Sequence, residues 1–106
     1  MTLRPVAAEL LKAVHPLRED LSTSEHPDVR SAHAWLDEAQ AALDAGRGRT
    51  AVRYLRHAMI RVEYARLDTA GSDDAIVIPI PLDRIRQRVA ETDMRAGPFI
   101  GPPLKA

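Results

Sequence analysis

Apolar residues recur at spacings of three and four along most of the chain, the period at which a helix turns one face toward a core. Leu3, Val6, Leu10 and Val14 open the series, with Pro5 tolerable in a first turn and Thr2 placed to cap it. The spacing predicts a first helix from Leu3 to about Val14. Pro16 should kink or stop it, because proline removes a backbone donor and crowds the preceding turn. Leu17 and Leu21 then carry the stripe through another turn, and Ser22, Thr23 and Ser24 read as a loop.

Pro27 suits a first helical position, and Val29, Ala32, Leu36, Ala39 and Leu43 follow on one face, which predicts a second helix ending at Gly46. From about Arg49, the series Ala51, Leu55, Ala58, Val62 and Ala65 predicts a third and longer helix. The two should form a hairpin around Gly46, Arg47 and Gly48. Gly71, Ser72, Asp73 and Asp74 form a turn cluster. Ile76 to Ile80 is β-branched and extended in character, but Pro79 and Pro81 lack ladder donors, so it can be an edge strand or an extended crossover. A last helix opens at Pro81 or Asp83, sets Leu82, Ile85 and Val89 on one face, and ends at Gly97.

These elements imply an all-α fold: a small bundle of three to four helices around an antiparallel hairpin, with a short Pro-containing extended segment. Residues 1–97 make one domain and residues 98–106 an irregular tail that holds the single Phe. A chain of 106 residues has room for one modest core. With aromatics at only 4%, that core must be built from Leu, Val, Ile and Ala. The absence of Cys excludes disulfides, zinc thiolates and a thiol nucleophile, and with no signal peptide or membrane anchor legible a cytoplasmic home is the expectation. Arginine outnumbers lysine heavily, and Ala is abundant, which suggests a GC-rich bacterial or phage genome.

Formal net charge is zero, yet charge is unevenly spread. Residues 46–67 hold six Arg and one Glu, whereas residues 1–45 hold four basic and eight acidic side chains. Within the basic segment Arg49, Arg53, His57 and Arg61 stand four residues apart, a ladder along one face of the third helix, away from Leu55 and Val62. Like charges in such a row repel unless something negative lies opposite. Asp37, Glu38 and Asp44 could neutralise them across the hairpin. An acidic protein partner is a second reading, with Ile60 and Tyr64 flanking the row as apolar contacts. Nucleic-acid phosphate is a third, disfavoured by zero net charge. Arg84, Arg86 and Arg88 interleave with Asp83, Glu91 and Asp93 as a solvated helix face.

Ala34 to Glu63 resembles one tetratricopeptide repeat: Trp35 stands at the family's aromatic start, Ala39 at its small position, Gly46 at its turn, and Ala51, Leu55 and Ala58 along its second helix. The resemblance implies a helical hairpin used for protein binding. A generic antiparallel hairpin obeys the same packing rules, and one copy cannot stack into a solenoid. A DNA-binding helix-turn-helix is also evoked by the two helices about Gly46 to Gly48. Against it, both helices are long and the second opens without Asn or Gln to read bases.

Candidate chemistry is sparse. His26, His33 and Asp37 could share a helix face, but they span about three turns, or ~16 Å, too far for one ion. No phosphate loop, nucleophile elbow or zinc-protease pattern occurs, and His15 before Pro16 reads as a helix-end residue. The expectation is therefore a non-enzymatic protein–protein interaction module, an adaptor or regulatory subunit without metal or cofactor. The alternative is a nucleic-acid-associated regulator using the ladder. Ile76, Ile78, Ile80, Phe99 and Ile100 are too apolar for water, and they predict either a homodimer contact or a docking peptide.

Overall fold

The computed structural model describes residues 3–73, 75–78 and 80–95, and among these the chain is all-helical with no strand. Helix α1 (Arg4–Val14) buries Ala7, Leu10, Leu11 and Val14, successive members of one helical face. Its cap position is Leu3, which makes no side-chain cap bond; Thr2 lies outside the described residues. Pro16 kinks the path without breaking it. His15 keeps helical backbone angles, and α2 (Pro16–Asp20) starts on the proline, where the missing N–H costs nothing. Leu17 and Leu21 are both buried.

Helix α3 (Pro27–Asp44) begins at a histidine cap: His26 is extended, and its Nδ1 accepts from the Asp28 N–H at 3.1 Å. Its far end closes through a Schellman arrangement, with Arg47 N–H donating to the Ala42 carbonyl at 2.8 Å and Gly46 N–H to that of Leu43 at 2.9 Å. Gly46 adopts φ 78°, which a side chain would resist. Helix α4 (Gly48–Thr69) follows at once. Gly48 is needed for a different reason: a Cβ there would lie 2.5 Å from the Arg4 backbone nitrogen, because the start of α1 presses on the start of α4.

Helix α4 is the centre of the molecule. Its Ala51, Leu55, Ala58, Val62 and Ala65 are buried, as are Ala32, Ala39 and Ala42 of α3, and these small side chains let the hairpin helices approach closely. Helix α1 packs beside α4, with Ala7, Ala42, Ala51 and Val52 in one cluster.

The link to the last helix is an extended crossover. Thr69 Oγ1 donates to the Ala65 carbonyl and accepts from the Ile76 N–H at 3.1 Å, which pins the segment to the end of α4. Ile76, Ile78 and Ile80 are half-buried against the main core, while Val77 is 81% exposed. The cover these isoleucines require is thus supplied within the chain. Helix α5 (Leu82–Arg95) then buries Leu82 and Val89, and Arg88 reaches Glu9 of α1 at 2.8 Å. The expected end at Gly97, and the tail with Phe99 and Ile100, lie outside the described residues. Among those described, no helix is long and apolar enough to cross a membrane.

Candidate functional site

The arginine ladder lies on α4, but its members do not share one environment. Each step of four residues advances about 40° around a helix, so three steps rotate the row by about 120°. Arg53 therefore turns toward α5, where its Nε donates to Asp93 at 3.0 Å. Arg61 turns toward the start of α3 and donates to Asp28 at 3.4 Å. His57, between them, stacks on Trp35 with ring centroids 4.8 Å apart. One terminal nitrogen of Arg49 is enclosed and makes no hydrogen bond.

Neutralisation within the chain is what the structure displays for Arg53 and Arg61, through carboxylates other than those expected. Asp37 instead pairs with Arg18 of α2, and Asp44 accepts from Gln40 one turn before it. The counter-ion to the ladder is Asp93, only 3% exposed, which also accepts from Arg56 at 2.7 Å. Asp93 had read as part of a solvated face, since α5 carries charge on every side and nothing in its spacing distinguishes the carboxylate that turns inward.

Burial, followed by the nearby Arg53 and Arg61 guanidiniums, lowers the His57 pKa below the ordinary histidine value, with Asp93 pulling the other way. Around pH 6.5 the unfolded chain then binds more protons at this residue than the folded chain. Stability must consequently fall as pH drops through that range. Thermal midpoints measured from about pH 7.5 to 5.5 are expected to decline more steeply for the natural protein than for His57→Phe, which keeps a ring against Trp35 and cannot titrate. Equal slopes would remove His57 as the source.

Beyond the paired charges, α4 presents an apolar stripe to solvent. Ile60, Tyr64 and Leu67 are 36%, 53% and 63% exposed at positions i, i+4 and i+7. Leu67 extends the pair seen in the sequence by one turn, and the same spacing could have revealed it. An open depression beside the stripe is lined by Pro27, Asp28, Arg61, Tyr64 and Leu67. A second groove, between α1 and α3, exposes parts of Leu11, Leu36 and Leu43 beside Lys12 and Asp37.

His26, His33 and Asp37 do not converge. His26 Nδ1 is occupied as a helix cap, so Nε2 carries the proton and donates to Asp68 at 2.7 Å, while Asp37 faces Arg18. Among the described residues no three potential ligands gather around one point.

No family model, curated protein or solved structure matches this chain.

Proposed function

We propose that the protein is a non-enzymatic protein–protein interaction module, an adaptor or regulatory subunit, and that it self-associates in the cytoplasm. The observation that carries this reading is the Ile60, Tyr64 and Leu67 stripe, three large apolar side chains left in water on the central helix of a chain short of them. The tetratricopeptide-like hairpin of Ala34 to Glu63 points the same way, since the resemblance implies protein binding. Ile76, Ile78 and Ile80 pack mainly on their own core. Among the described part of that second candidate contact, Val77 is the residue left open to a partner.

The nucleic-acid alternative loses support because carboxylates already engage Arg53 and Arg61. Sedimentation of the full chain over a wide concentration range tests the preferred reading: the expected mass is twice 11.7 kDa. A monomer up to about 100 μM would defeat self-association, since even weak specific interfaces populate a dimer there. Duplex DNA titrated at low and high salt tests the alternative, which requires binding that falls steeply as salt rises.

A further inference from the structure

The two ends of the outer face of α4 are oppositely charged. Residues 48–57 contain Arg49, Arg53 and Arg56 and no acid, whereas residues 67–74 contain Asp68, Asp73 and Asp74 and no base. Between these blocks stands the exposed stripe of Ile60, Tyr64 and Leu67. The Asp68 side chain remains 72% exposed even while it accepts from His26, so its other lone pairs are open to a further donor. A helix of 22 residues is about 33 Å long, enough to carry all three zones along one contact.

A face with a basic end, an apolar middle and an acidic end is complementary to itself after a half-turn. The rotation lays the arginine block of one helix over the aspartate block of the other and stacks the apolar middles. It also sets the two helix dipoles antiparallel. A uniformly acidic partner would be attracted at one end of the face and repelled at the other.

We propose that this face is an isologous homodimer interface, in which α4 of two copies crosses antiparallel about a two-fold axis at Tyr64. Ile60 of each copy then meets Leu67 of the other, and Tyr64 meets its own counterpart. The inference rests on self-association and specifies the surface that performs it.

A residue on a two-fold axis opposes itself, and that property gives the test. Tyr64 is half-exposed, so Tyr64→Glu and Tyr64→Lys should each keep the helical content and melting behaviour of the natural protein. Each should weaken the dimer at least about tenfold in sedimentation, because like charges face one another at the centre. An equimolar mixture of the two should restore dimers as the mixed species. Leu67→Asp serves as a second variant, and it too should dissociate the dimer by placing a carboxylate against Ile60 of the other copy. If the natural protein is a dimer and Tyr64→Glu or Leu67→Asp leaves it unchanged, this interface is wrong while self-association stands. If the mixture stays monomeric, Tyr64 does not lie on a two-fold axis and the proposal fails. A monomeric natural protein overturns both.

Discussion

Leu55→Ala is expected to lower the unfolding free energy by about 2 to 5 kcal/mol, the range for truncating a fully buried leucine. Leu55 has no exposed surface and sits at the middle of α4, among neighbours drawn from α3 and the rest of the core. Two effects combine. Four carbons' worth of side chain becomes three methylene equivalents shorter, at about 0.8 kcal/mol per buried CH₂, and the space left behind is only partly refilled. Many flanking positions are alanines, Ala32, Ala39 and Ala58 among them, and an alanine has no flexible atoms with which to fill a void. Met59 can swing into part of it, which favours the middle of the range over its top. Urea denaturation measures the effect, with Ile60→Ala on the exposed face as the companion. A loss below about 0.5 kcal/mol for Leu55→Ala would mean that this helix face is not the core.

Asp93→Ala is expected to cost about 2 to 4 kcal/mol. Asp93 is the one buried charged side chain among the described residues, and two guanidiniums converge on it. Its removal leaves both arginines against a face of the core with their principal acceptor gone. The full penalty for stranding a buried charge is about 3 to 5 kcal/mol, but the Arg53 and Arg56 side chains are 25% and 36% exposed and can turn partly toward water. Asp93→Asn retains a carbonyl acceptor of nearly the same shape and should cost less than alanine. The same bridge explains why Arg53→Glu with Arg61→Glu is expected to unfold the chain: the double change would set a carboxylate against Asp93 and another against Asp28. Denaturation of the three variants in one buffer checks the order, and an Asp93→Ala protein as stable as the natural one would show that the bridge contributes nothing.

The chain by itself determined the helices. Their positions follow from apolar periodicity, and their ends from chemistry that acts within a few residues: Pro16 and Pro27 begin turns, and Gly46 supplies the positive φ that closes α3. The burial of Leu55 and Val62 was legible for the same reason, since a strict repeat of three and four leaves one face to bury. The exposed pair Ile60 and Tyr64 was legible as its complement. His26 as a cap was not, because a histidine seldom serves there and its ring nitrogen reaches the Asp28 N–H only in this local geometry.

Tertiary structure decided the partners. A ladder written with a period of four looks like one face, but α-helical geometry spreads it over about a third of a turn, and which neighbour each member meets depends on where α3 and α5 lie. Asp93 is 40 residues from Arg53, and Asp28 is 33 from Arg61, so no local pattern could pair them. The isoleucines of the crossover show the same division. Alternation in the segment could indicate which side chains share a side, but only the packing of the crossover on α4 and its neighbours decided that Ile76, Ile78 and Ile80 find cover in their own chain while Val77 does not. Periodicity fixes a residue's direction from its own helix axis; the arrangement of the other helices fixes what it meets there.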